Sequence, residues 1–352
     1  MPDSLDAMAK RLAASSVFEG KTLIDEVRSC MGHAFDGWNI RNGDDCAAVP
    51  DGQGGWLLLA AEGIIPALVE KSPELAGRSA VLANVNDIYA MGGRPLAMVD
   101  VMGVADSGTL RDLCRGMREN ALRFGVPIVG GHVMGASSSS VALAILGRAK
   151  ALLTSFDAAP GDNLVLATSL DGYWLEKENY WNCTLARHDA ALAGNLELLP
   201  AAAELGLSRA GKDVSMAGIA GTTVMLAEGS KVGCEIDLNR LELPAGHGPE
   251  KLEAWLRAFF SYGFLLAVSD ENLGAVRQMF AERGLWCESI GRFAAGTCVT
   301  LRRGAETALL RDWAKDPLTG FGLADDGSAA GESADDDGSD RKASARLWEP
   351  AS

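Results

Sequence analysis

The 352-residue chain is short of several things that mark common protein classes. Its seven cysteines, at 30, 46, 114, 183, 234, 287 and 298, form no Cys-x-x-Cys pair. That excludes a zinc ribbon and a thioredoxin-type redox motif. The four histidines, at 33, 132, 188 and 247, have no metal-ligand spacing. No apolar run reaches the roughly 18 residues of a membrane span, and the opening residues lack the apolar stretch of a secretory signal. Bases are outnumbered, 32 Lys and Arg against 47 Asp and Glu, for a formal net charge of -15. A general grip on nucleic-acid backbone is therefore not expected, nor a polybasic membrane anchor. The phosphate-binding GxxxxGK[ST] loop, a GxGxxG turn after a strand, the GxSxG elbow and the HExxH zinc motif are all missing. The expectation is a soluble, cytoplasmic protein with reduced thiols.

Hydrophobic residues make up 48% of the chain, enough for sizeable cores. The charge is uneven. From Asp325 to the end there are eight acids and three bases, so an acidic, disordered tail is expected over 325–352. Helical apolar spacing covers 4–16, 22–35, 74–91 and 109–124. Short apolar runs at Cys46–Val49, Trp56–Ala61, Leu96–Val104, Val126–Val129 and Val141–Leu146 read as strands, the first two as a hairpin. Gly130–Ser140 reads as a Gly/Ser-rich loop. After the turn signal Ala159-Pro160-Gly161-Asp162 comes a fresh strand, Asn163–Thr168. Helices are then expected over 184–205, Met216–Leu226, Leu252–Phe260 and Leu273–Arg283, with strands at Phe264–Val268 and within Gly291–Leu301. The expected organisation is N-terminal helices over 1–35, a first domain over 36–150, a second over 151–305, a short continuation over 306–324, and the tail.

Carboxylates cluster beside glycine or at element ends: Gly43-Asp44-Asp45, Glu62-Gly63, Asn84-Val85-Asn86-Asp87, and Asp213-Val214-Ser215. Gly130-Gly131-His132 belongs with them. Mg²⁺ takes oxygen ligands and shares carboxylates with phosphate. Phosphoryl transfer needs positioning and charge neutralisation more than covalent help. Each motif has a plainer use: Asp-Asp after Gly suits a turn or cap, Asp87 a solvated helix position, Asp213 a helix N-cap, His132 a structural hydrogen bond. Their joint occurrence favours a polyphosphate and metal site.

These residues also carry a resemblance. Gly43-Asp44-Asp45-Cys46-Ala47, the run Asn84 to Pro95, Val129-Gly130-Gly131-His132, Pro160-Gly161-Asp162 and Asp213-Val214-Ser215 are similar, in order and spacing, to the aminoimidazole ribonucleotide (AIR) synthase superfamily. Within it the chain most resembles the AIR synthase-related proteins, over roughly residues 15–305. The resemblance implies an α+β, two-domain fold. The N-terminal mixed sheet would form a barrel-like core with a second subunit, and the C-terminal domain would be an α/β sandwich. It implies ATP and Mg²⁺ in the cleft between the domains, and a homodimer. Carried over by motif, Asp44, Glu62, Asp87 and Asp213 are metal ligands. Gly43, Asn84, Gly130 and Gly131 approach the nucleotide, and His132 and Asp45 are catalytic candidates.

The departures matter. Thiamine-monophosphate kinases in this superfamily show Thr-Asp at Ala61-Glu62, Gly-Gly-Asp at Gly130-Gly131-His132, and an Asp at Met216. Selenophosphate synthases share Gly-Gly-His but need a reactive N-terminal Cys in a Gly-rich loop, which Cys30 does not match. The implied function is an ATP- and Mg²⁺-dependent phosphotransferase, or a ligase or cyclase that activates an amide-type oxygen. The altered acids at 132 and 216 leave open a non-catalytic nucleotide-binding subunit of a larger assembly. Trp174, Tyr180, Trp181 and His188 stand near an expected substrate mouth, or in a core or lid.

Overall fold

The computed structural model describes residues 4–31, 40–175, 179–184 and 189–323. His33, His188 and the tail 325–352 lie outside them. The chain opens with α1 (Leu5–Ala13) and α2 (Ser16–Met31). Ser4 caps α1 by accepting from the Ala7 amide.

The first half is an α+β layer. Its elements are β1 (Ala47–Pro50), β2 (Trp56–Gly63), α3 (Pro66–Lys71), α4 (Pro73–Ala90), β3 (Arg94–Val104), α5 (Ser107–Phe124), β4 (Ile128–Gly135) and β5 (Ser140–Ala149). The sheet order is β1-β2-β5-β3-β4. All neighbours are antiparallel except β3 and β4, which run parallel across the crossover helix α5. The expected β1–β2 hairpin forms, Ala47 facing Leu59 and Pro50 facing Trp56. One correction concerns Gly130-Gly131-His132. They lie inside β4, not in a loop, because the parallel ladder to β3 pairs their backbone groups (Val99 with Gly130, Val101 with His132).

One sheet face is covered. Leu58, Ala60, Met98, Leu143 and Ile145 point into the core, against α4. The opposite face is open and apolar: Leu59, Val99, Val101 and Leu146 are exposed there. Pairing of Val101 with His132 puts His132 in the same row as these side chains.

α4 is central. It contacts β2 and β5 on one side and α5 on another. Its close approach to α5 needs glycine at two facing positions. A Cβ on Gly116 would stand 2.0 Å from the Glu74 carbonyl oxygen, and one on Gly77 2.2 Å from that of Leu113.

The second half builds β6 (Asn163–Thr168), β7 (Tyr173–Leu175), β8 (Tyr180–Asn182), α6 (Asp189–Leu196), α7 (Leu198–Glu204), β9 (Ala210–Asp213), α8 (Gly218–Gly229), β10 (Gly233–Asp237), α9 (Leu252–Arg257), β11 (Phe259–Phe260), β12 (Gly263–Val268), α10 (Asp270–Ala281), β13 (Trp286–Ala294), β14 (Cys298–Arg303) and β15 (Glu306–Asp312). Seven strands make one sheet, β15-β14-β10-β13-β6-β12-β9, and β11-β8-β7 make a small one. Its core strands β6 and β12 are buried along their whole length, which is why they read as continuous apolar runs rather than alternating ones.

Several elements differ from the sequence reading. Asp213 ends strand β9 rather than opening a helix, and α8 starts only at Gly218. The expected helix Leu252–Phe260 stops at Arg257, since Phe259 and Phe260 pair with Tyr180 and Trp181. The expected helix over 184–205 contains α6 and α7 as separate pieces. Residues 306–312, beyond the expected second domain, add the edge strand β15.

After β15 the chain folds back. Glu228 of α8 is fully buried, and its carboxylate accepts from the amides of Leu318, Thr319 and Gly320 and from the Thr319 hydroxyl. Next to this clamp, the Phe321 ring lies where a Cβ on Gly43 would be, 2.5 Å away. No described helix is long and apolar enough to cross a membrane.

Candidate functional site

Four segments far apart in sequence deliver carboxylates to one place. The loop before β1 brings Asp45, the end of β2 brings Glu62, the last turn of α4 brings Asp87, and the end of β9 brings Asp213. Ligand oxygens of Asp45, Asp87 and Asp213 all lie within 4.8 Å of one another. With Glu62 they line a cavity of about 380 Å³, a size suited to a small metabolite. Ile64, Leu68, Leu75 and Phe259 supply an apolar wall, and Lys21, Lys71, Lys212, Ser215, Tyr180 and Met216 also line it. A cavity of about 590 Å³ between α5 and the β3–β4 edge holds none of these carboxylates. Chemistry, not size, therefore picks out the smaller one.

Asp87 sits 5% exposed in a helix whose neighbours are core residues. Its Oδ2 has no hydrogen-bond partner. A buried unpartnered carboxylate oxygen is costly and asks for a cation. Asn86 holds this part of α4 to the second half by donating to the Ser261 carbonyl, 3.4 Å. Asn84, one turn before Asp87, donates to the Ala80 carbonyl and leaves its Oδ1 unpartnered. The hydroxyl of Ser215, on the cavity wall, is also buried and unpartnered.

The adjacent carboxylates of the Gly43-Asp44-Asp45 motif point different ways. Asp44, expected as a ligand, accepts from the Ser155 amide at 2.9 Å and from its hydroxyl at 2.7 Å. Asp45 is the one in the carboxylate trio. Its Oδ1 accepts from Lys212 Nζ, and its Oδ2 from the Asp213 amide at 3.4 Å. Gly43 has φ +104°, a conformation that lets the chain turn Asp44 towards Ser155.

Burial and mutual repulsion shape the titration. Burial first, and then Asp45, push the Asp213 carboxyl up to about 7. Burial and Asp45 likewise raise Asp44 to about 6, against the pull of Lys212 and Ser155. Asp87 is raised well above the usual carboxylate range by burial, then by Asp213 and Glu62. Burial raises Glu62 also, with Lys21 opposing. For Lys212, burial works against its charge, but Asp45, Asp213 and Asp44 outweigh it and hold the ammonium protonated. Such clustering of perturbed groups in a cavity marks a candidate site.

Gly130, Gly131 and His132 are not brought to this cluster. His132 shares a cross-sheet row with Gly63, three strand steps away, or about 14 Å at ~4.8 Å per step. All three residues are exposed. Of the expected mouth residues, Tyr180 reaches the cavity. Trp181 instead packs among Trp174 and Trp255 and donates from Nε1 to the Ser169 carbonyl at 2.8 Å. Sequence reasoning missed Lys212 and Lys21. The signal for Lys212 was a lone base inside a short buried strand, directly before a motif aspartate.

Two domain descriptions match the chain: AIR synthase related protein, N-terminal domain, over residues 43–149, and AIR synthase related protein, C-terminal domain, over 160–303. The chain belongs to the AIR synthase-related family. Uncharacterized protein sll0787 of Synechocystis sp. is 46% identical over 288 residues, 81% of this chain and 88% of that protein. The selenide, water dikinase of Nitratidesulfovibrio vulgaris is 25% identical over 287 residues, 69% of this chain and 81% of that protein. Among solved structures, T. maritima PurL complexed with ATP superposes with a TM-score of 0.67 at 16% identity, covering 90% of this chain. The chain spans about half of that PurL chain, 54%. The shared fold is the two-domain AIR synthase-like one.

Proposed function

We propose that this AIR synthase-related protein is an ATP- and Mg²⁺-dependent enzyme. It would transfer a phosphoryl group to a small metabolite, or phosphorylate an amide-type oxygen to activate it. The observation that carries this reading is the trio Asp45, Asp87 and Asp213, with an unpartnered buried oxygen on Asp87 at a cavity wall. An all-oxygen donor set with carboxylates from separate elements fits Mg²⁺. Family membership, and a relative named as a dikinase, support the nucleotide.

Asp45, Asp87 and Asp213 would hold the ion, with Glu62 beside them, and Asp44 would fix the loop through Ser155. The ion would neutralise the charge of the phosphates. Lys21 and Lys212 add fixed positive charge to the same cavity. The apolar wall at Ile64, Leu68, Leu75 and Phe259 excludes water from the small acceptor. Gly130, Gly131 and His132 do not face this cavity within one chain. Their place is the open apolar sheet face, which we assign to a second copy of the chain. A dimer through that face would make them interface residues.

Calorimetric titration with ATP and Mg²⁺ tests the proposal. Heat of binding is expected in the wild type and its loss in Asp87→Asn. No binding heat in the wild type would sink the reading. A second reading, a non-catalytic nucleotide-binding subunit, is favoured by Met216, which lines the cavity where the kinases carry an acid. Binding of ATP without turnover over a panel of amide and phosphate acceptors would select it.

A further inference from the structure

A buried ammonium already stands inside the carboxylate cluster. Lys212 is 9% exposed, and its Nζ donates to Asp45 Oδ1. The side chain of a lysine is a compact point charge, able to fill the place of a cation rather than fork across two acceptors. The charges that face the cavity can be counted. Asp45, Glu62, Asp87 and Asp213 give -4, and Lys21, Lys71 and Lys212 give +3. One divalent ion takes that sum from -1 to +1, and a second would take it to +3. Without Lys212 the same two steps end at zero and at +2. Each ion therefore meets one positive charge more when Lys212 is present, which opposes a second cation.

The positions divide in the same way as the charges. Asp45 is engaged on both oxygens, by Lys212 and by the Asp213 amide. Asp87 keeps a buried oxygen with no partner. The wholly unpartnered ligand oxygen therefore lies on the Asp87 side, and Asp45 is shared between Lys212 and the ion.

We propose that Lys212 is a resident cation of the carboxylate cluster, which limits the nucleotide-free site to a single divalent ion on its Asp87 side. The proposal rests on the metal reading given above. Lys212 is a positioning residue here, acting on the ion through Asp45. Its presence sets how many ions the site takes before nucleotide arrives and how tightly.

Mn²⁺ serves as the probe, counted by calorimetry and by the loss of free-ion electron paramagnetic resonance signal. The wild-type full chain should bind one Mn²⁺. Lys212→Met should bind a second equivalent, or the first about tenfold tighter or more, because a like charge near the ion is gone. Lys212→Arg, which keeps the charge, should bind as the wild type does. Where Lys212→Met fails to fold in chelator, circular dichroism should show Mn²⁺ restoring the fold, since the ion replaces the missing ammonium. Failure to refold at saturating Mn²⁺ would overturn the proposal. So would two ions in the wild type, or the same number and affinity in wild type and Lys212→Met. If that equality holds while Asp87→Asn abolishes binding, only the resident-cation role falls. If the wild type binds no Mn²⁺, or Asp87→Asn binds as the wild type does, the metal reading falls and this inference with it.

Discussion

Asp213 titrates near pH 7 in the folded chain against 3.8 for an ordinary aspartate. Between these values the native state holds more protons than the unfolded one. Stability of the metal-free protein should therefore fall as pH rises from about 4 to about 7. Metal affinity should rise over the same interval, because the ion needs the ionised carboxylate. Melting in chelator at pH 5 and pH 7.5, beside Mn²⁺ titrations at both, checks the two signs, and Asp213→Asn should flatten each. Asp87→Asn is expected to abolish Mn²⁺ binding yet raise stability in chelator by about 1 kcal/mol, as functional sites store strain of this kind. Thermal melts of the variant, which should shift upward, test it. Asp87 was legible in the sequence as a carboxylate in an apolar helix pattern. Which of Asp44 and Asp45 faces the cavity was not. That choice is made by Ser155 and Lys212, residues more than a hundred positions away that no local pattern ties to the motif.

Elements with a clean period were legible for the same local reason. α4 and α5 show helical apolar spacing, and the β1–β2 hairpin shows two apolar runs about a glycine-rich turn. β4 was legible only at its start, in the run Val126–Val129, because the Gly-Gly-His that follows has little strand propensity of its own. Its ladder to β3, which only the folded sheet supplies, makes it a strand. β11 became a strand for the same reason, through pairing with β8. The contact of α4 with α5 gives a prediction at this scale. A methyl on Gly116 would meet the Glu74 carbonyl oxygen at 2.0 Å, and the rigid helix backbone offers little room to yield. Gly116→Ala should destabilise by about 1–3 kcal/mol. A lower denaturation midpoint with unchanged slope in urea would show it, whereas Gly125→Ala, with open space around its Cβ, should suffer only from its positive φ.

The whole molecule presents one sheet face without cover. Leu59 and Val101 are 53% and 49% exposed in the middle of it. Neither composition nor net charge announced this surface, since each strand alternates apolar residues that look alike until one face is packed and the other is not. Val101→Asp should shift the light-scattering mass from dimer to monomer and leave the carboxylate cavity folded; an unchanged mass would remove the proposed interface. The turn signal at Ala159–Asp162, by contrast, falls where the second matched domain description, 160–303, begins. The last described turn of the chain has a different consequence. Glu228 fastens residues 318–320, and Phe321 then lies on Gly43. The Gly43–Asp45 loop is thus shielded by residues 318–321, and its amide protons should exchange with solvent only when that segment lets go. Ending the chain at Asp316 should speed deuterium uptake at Asp44 and Asp45 while strands β6 and β12 keep their protection.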